Sequence, residues 1–233
     1  MSFLDRLLGR REEVKITQSI YTTNQGDVNT LEMEAATLYN THSFADATNL
    51  IENGIRQYPN SAFLYYIRGL IKEDKGDFKT AIYDFSKFLE RKDNDYNGFF
   101  KMGLCNQKLN FSTKAIEFYD KSIIYFSKNT TDTALTPLLK LHLPLEVIYT
   151  NRGTCKSNIG DIEAAMSDAD KAIDINSNHA EAYFLKGNLW AKLGNRESSI
   201  ASLIQSSDLG FQPAKSQLGR MGLDNKGVVK NAV

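Results

Sequence analysis

A chain of 233 residues can bury one or two ordinary cores, and 13 Phe with 11 Tyr is not the composition of a disordered polymer. The 28 Lys and Arg balance the 28 Asp and Glu, so no global field draws in nucleic acid or anionic lipid. Two cysteines, Cys105 and Cys155, are too few for a disulfide framework and too far apart for a CxxC metal or redox site.

The chain begins MSFLDRLLGRREEV. Leu4, Leu7 and Leu8 fall on one helical face, which predicts a short amphipathic helix from about Ser2 to Glu12. Asp5 and Arg6 break the apolar run, so the segment is not read as a signal peptide. No apolar stretch approaches the roughly 18 residues that a membrane span requires, and the expectation is a soluble, cytoplasmic protein. Residues 1–27 are assigned to this segment and a linker.

From residue 28 onward the sequence repeats. The small residues Ala35, Gly69, Gly103, Gly153 and Gly187 recur at steps of 34, 34, 50 and 34, the long step containing a 16-residue insertion. Twelve residues after each stands Ala47, Ala81, Ala115, Ala165 or Ser199. Four before each stands Leu31, Tyr65, Phe99, Tyr149 or Tyr183, and four after each alanine-series residue stands Ile51, Phe85, Tyr119, Ala169 or Leu203. Small residues on two helices allow close approach, and large apolar residues one turn away fill the space beside the contact. Gly76-Asp77, Leu109-Asn110, Gly160-Asp161 and Gly194-Asn195 mark turns between the helices of each pair.

A helix–turn–helix unit of this length with small and aromatic residues at these offsets resembles the tetratricopeptide repeat. The resemblance covers units 28–61, 62–95, 96–129, 146–179 and 180–213. It implies an all-α solenoid of about five stacked hairpins, with repeats one to three over 28–129 and repeats four and five over 146–213. The sequence departs from the family in two ways. The proline closing the second helix survives only as Pro59, and the leucine before the small residue is replaced by Glu34, Arg68, Met102, Arg152 or Lys186.

The insertion, 130–145, is apolar from Leu138 to Leu145, with Pro137 before this stretch and Pro144 within it. It reads either as a cover for the junction of units three and four or as a partner-binding element. Pro213 and the following AKSQLGRM predict a capping helix over 214–222, with Leu218 and Met221 packed back on unit five. Residues 223–233 are read as a flexible tail.

No constellation for catalysis or metal binding emerges. Cys105 and Cys155 share one repeat position and read as buried filler, Trp190 as packing, and His42, His142 and His179 lack partners at ligand spacing. Asp161, Glu163, Asp168, Asp170 and Asp174 lack the spacing of a calcium loop and read as a solvated acidic face. No P-loop, nucleophile elbow or zincin motif is present, so neither an enzyme nor a cofactor is expected.

The family resemblance implies that first helices line a concave groove. It places Phe63, Tyr66, Leu70, Phe100, Leu104 and Phe184 on its floor, and Glu32, Glu73, Asp74, Lys101, Lys108 and Lys192 around its rim. Such a floor suits a protein or peptide partner, an amphipathic helix or an extended segment, rather than nucleic acid or a small-molecule substrate. The clamp with which some family members hold chaperone C-terminal carboxylates is absent in every register. A protein-interaction scaffold is therefore expected. The alternative is an accessory subunit tethered to a membrane or larger complex by the N-terminal segment.

Overall fold

The computed structural model describes residues 28–127, 143–224 and 227. Among them are eleven helices and no strand. In chain order they are α1 (Val28–Asn40), α2 (Phe44–Gln57), α3 (Ala62–Asp74), α4 (Phe78–Leu89), α5 (Tyr96–Lys108) and α6 (Ser112–Phe126). There follow α7 (Leu145–Asn158), α8 (Ile162–Ile175), α9 (Ala180–Lys192), α10 (Arg196–Asp208) and α11 (Gln212–Arg220). The first ten form five hairpins, each packed on the next, and first helices α1 and α3, or α7 and α9, also touch across the intervening helix. The fold is an α-solenoid.

Local chemistry sets where each helix stops. Every hairpin turn carries one residue in the left-handed region at the same place in the repeat: His42, Gly76, Asn110, Gly160 and Gly194, with φ between 60° and 86°. Glycine takes this conformation without cost, and Asn or His tolerates it better than most side chains. The next helix is then capped from its own sequence. Asp77, Asp161 and Asn195 accept from the backbone N–H groups of Thr80, Ala164 and Ser198, and Ser61 and Asp95 do the same for α3 and α5.

The small-residue series packs differently from its expected pairing. A methyl group at Gly69 would lie 2.7 Å from the Phe85 ring, one at Gly103 2.6 Å from Tyr119, and one at Gly187 2.9 Å from Leu203. In these three units the large residue one turn beyond the alanine series lies nearest the glycine, and at Gly187 the Ser199 carbonyl also closes in at 3.3 Å. Gly153 differs because its counterpart is Ala169; there Leu185 of the next unit and the Ala165 carbonyl close in at 2.9 and 3.2 Å.

The departures from the family leucine at Arg68 and Arg152 are also explained. Arg68 donates to both oxygens of the fully buried Asp84 at 2.7 and 3.0 Å, and Lys72 joins at 2.8 Å. Arg152, Asp168 and Lys156 repeat the arrangement two hairpins later, with contacts of 2.6 to 2.9 Å. Arg152 also reaches back to Asp120 at 2.6 Å, and Lys186 makes the equivalent link to Asp170 at 2.6 Å. Asp168 therefore does not belong to a solvated acidic face. It is a buried counter-ion, while Asp161 is a helix cap and Asp170 an inter-unit tie.

Leu143 and Leu145 pack with Phe100 and Tyr119 at the junction of the third and fourth hairpins. At the C-terminus Ala214, Leu218 and Leu223 close over Leu203, and Pro213 stands in the first turn of α11. The N-terminal segment, residues 130–142 of the insertion and most of the tail lie outside the described residues.

Candidate functional site

Along the first helices the same repeat positions carry different side chains in the two halves of the solenoid. In α3 and α5 they carry Tyr66, Leu70, Phe100 and Leu104; in α7 and α9 they carry Thr150, Thr154, Phe184 and Asn188. Tyr66 is 1% exposed, its ring 5.5 Å from Phe85 and 4.8 Å from Phe88. Phe100 is buried against Tyr119, ring centroids 5.7 Å apart, and Leu70 is buried in the same core as Tyr66. Three of the expected floor residues, Tyr66, Leu70 and Phe100, are therefore core and present no surface to a partner. The large rings of α4 and α6 reach over to meet them, so the space expected to be groove is filled from within.

The remaining candidates divide. Leu104 is half-buried against the Phe100–Tyr119 cluster. Phe63 lines a separate cavity of about 590 Å³ near the N-terminal hairpin, with Val28, Tyr58, Arg91 and Lys92. Among the rim residues, Glu32 is buried and accepts from the Ser61 hydroxyl at 2.5 Å, so it is no rim group. Glu73 and Lys101 neutralise each other at 3.0 Å. Asp74 and Lys108 are exposed.

Phe184 and Lys192 belong to the better-formed site. A cavity of about 650 Å³ lies between α7 and α9. Val147, Phe184 and Phe211 give it an apolar wall, the two rings packed edge-on with centroids 5.2 Å apart. Asn151, Thr154, Asn158, Asn188 and Lys192 supply polar groups. The Thr154 hydroxyl donates to the Thr150 carbonyl at 2.9 Å and the Asn151 amide nitrogen to the Val147 carbonyl at 2.9 Å. These internal bonds leave the threonine lone pairs and the Asn151 Oδ1 as acceptors. At one margin His179 Nε2 lies 3.0 Å from Thr150 Oγ1, and its Nδ1 3.4 Å from Glu181. The signal for this site is in the sequence: two hydroxyls and a carboxamide stand where units two and three have leucines and an aromatic ring.

The Thr150 hydroxyl donates to the Glu146 carbonyl at 2.9 Å, so His179 meets its lone pair and not its proton. Cys105 and Cys155 are buried, and burial pushes both thiols up to about 12. Among the described residues no three His, Cys, Asp or Glu side chains gather as a metal site would require, and no helix is long and apolar enough to cross a membrane.

Helical hairpins stacked each on the next make an α-solenoid, the architecture of helical repeat proteins. Residues 147–179, the α7–α8 hairpin, match the tetratricopeptide repeat model. The fold is similar to that of YrrB, a TPR protein with an unusual peptide-binding site, at 20% identity over 83% of this chain and 91% of that one, with a TM-score of 0.65. It is also similar to MamA from Desulfovibrio magneticus RS-1 (14% identity, 80% of this chain and 97% of that one, TM-score 0.66) and to PilW, a widely conserved type IV pilus biogenesis factor (14%, 84% and 94%, 0.65). Curated proteins give no match to the sequence. The α7–α8 hairpin thus matches a tetratricopeptide repeat in sequence, and the described chain has the fold of tetratricopeptide-repeat solenoids.

Proposed function

We propose that this protein is an interaction scaffold that holds an extended segment of a partner protein in the concave cavity between α7 and α9. The observation behind this reading is the cavity itself, about 650 Å³ with hydroxyls and carboxamides on its floor and Phe184 and Val147 on its wall. A carboxamide offers a donor and an acceptor at once, the pairing that a peptide main chain requires. An α-helix is 10–12 Å across and has already satisfied its own main chain, so it would leave these groups unpartnered. The cavity volume falls within the range of ordinary ligand sites, which fixes a few side chains of the partner rather than a broad face.

Filling the cavity tests this. Thr154→Leu with Asn188→Leu restores at these positions the leucines found in α3 and α5. Partner capture is then expected to be lost, with melting temperature held. A photo-crosslinker at position 154 should label the partner, and one at the exposed Tyr83 on the second helix of unit two should not. Labelling from Tyr83 alone, with capture intact in the double leucine variant, would place the binding surface elsewhere.

A further inference from the structure

Four cations project from α7 and α9, and three of them close on carboxylates. Arg152 meets Asp120 and Asp168, Lys156 meets Asp168 at 2.9 Å, and Lys186 meets Asp170 at 2.6 Å. Lys192 differs. Its ammonium donates to the Ser157 carbonyl and the Ser157 hydroxyl, both at 2.8 Å, and both are neutral oxygens. An ammonium has three donors, so one N–H and the whole positive charge remain without an acidic partner among the described residues. Two carboxamides line the same end of the cavity. The Asn158 side chain makes no hydrogen bond to another described residue, and Asn188 receives Gln217 on its Oδ1 at 2.9 Å, which leaves its amino group as a donor. This end of the groove is therefore cationic and rich in donors, whereas Phe184, eight residues earlier on α9, stands at the apolar end.

We infer that the groove selects a partner segment with an Asp or Glu side chain three or four residues from a large apolar side chain. The inference rests on the groove reading above. Phe184 and Lys192 are eight residues apart on one helix, about 12 Å at 1.5 Å per residue. An extended peptide advances about 3.3 Å per residue and covers that span in three to four residues. The acidic side chain takes the third ammonium N–H, the Asn188 amino group and the Asn158 amide, and the apolar side chain rests on Phe184. Charge-assisted bonds of this kind are about twice as strong as neutral ones, so they decide which segment binds. A lysine at a helix C-terminus also complements the helix dipole without any ligand. That role alone makes Lys192 matter to stability but gives no dependence on the charge of a bound peptide.

The probe is a random dodecapeptide library displayed internally on phage, selected against the full chain. Enriched peptides are expected to carry Asp or Glu three or four positions from an aromatic or large aliphatic residue, and to lose binding on Thr154→Leu. For a synthetic, C-terminally amidated form of one such peptide, replacing its Glu by Gln should weaken binding about tenfold to wild type and hardly at all to Lys192→Gln. Lys192→Glu should bind better the peptide whose Glu is replaced by Lys. Enrichment without an acidic residue at that spacing, or equal binding of the Glu and Gln peptides, overturns the inference; the groove reading survives if Thr154→Leu still abolishes binding. A peptide that binds only with a free terminal carboxylate overturns the assignment to an internal acidic side chain. Enriched peptides insensitive to Thr154→Leu overturn both readings.

Discussion

The second and third hairpins and the fourth and fifth are built on one repeat, yet they treat the concave side in opposite ways. In the former, Tyr66, Leu70 and Phe100 are drawn into the core by Phe85, Phe88 and Tyr119. In the latter, Thr150 and Thr154 on α7 and Asn188 on α9 are too short to fill the equivalent volume, and a cavity of about 650 Å³ remains. Backbone geometry is shared, so side-chain size at two positions of the first helix decides whether a solenoid presents a wall or a groove. Aromatic residues on a concave helix mark a binding surface only where the second helix does not reach over to cover them.

Truncating equivalent residues on the two sides breaks the comparison most sharply. Tyr66→Ala removes a fully buried ring and is expected to cost about 4 kcal/mol in denaturant unfolding, whereas the half-buried Phe184→Ala should cost under about 2 kcal/mol. Equal losses would show that the two halves are packed alike. The buried ion pair gives the next largest effect. Arg68→Leu leaves Asp84 with Lys72 alone and should cost about 3 kcal/mol, whereas Arg68→Leu with Asp84→Leu should recover most of that loss. A double variant as unstable as the single one would show that packing and not charge is at stake.

The effect that is smallest near neutral pH is shared by both halves. Cys105 on α5 and Cys155 on α7 keep their protons because burial disfavours the thiolate, and each is pushed up to about 12 from 9.0. The unfolded chain releases these protons first. This contribution to stability is therefore complete below about pH 9 and is lost as pH rises from 9 toward 12. A thiol reagent at pH 8 should modify neither cysteine until the chain unfolds; rapid native-state modification of Cys155 alone would mean that the groove side is open to solvent down to its core.

Much of the fold was legible because solenoid packing imposes a strict period. Gly69 and Gly103 lie where Phe85 and Tyr119 press in, and a positive-φ residue closes every hairpin, so neither feature can drift along the sequence. What single-position reading missed was coupling between helices. Whether Tyr66 faces a partner or the core depends on Phe85 and Phe88, 19 and 22 residues later. The ion pairs left a better trace: Arg68, Lys72 and Asp84 stand at the same offsets as Arg152, Lys156 and Asp168. An arginine in place of the family leucine has to be read together with its aspartate. The cavity of units four and five is legible in the exchange of leucine for Thr154 and Asn188, whereas Tyr66, Leu70 and Phe100 read as surface until Phe85, Phe88 and Tyr119 are seen to cover them.

Amide chemical-shift mapping of the full chain with a peptide enriched by selection separates the two halves in one spectrum. Perturbed amides should cluster on α7 and α9, around Asn151, Thr154 and Asn188, while those of Tyr66, Leu70 and Phe100 stay in place. Perturbations concentrated on α3 and α5 would contradict the division of the solenoid into a filled half and an open one.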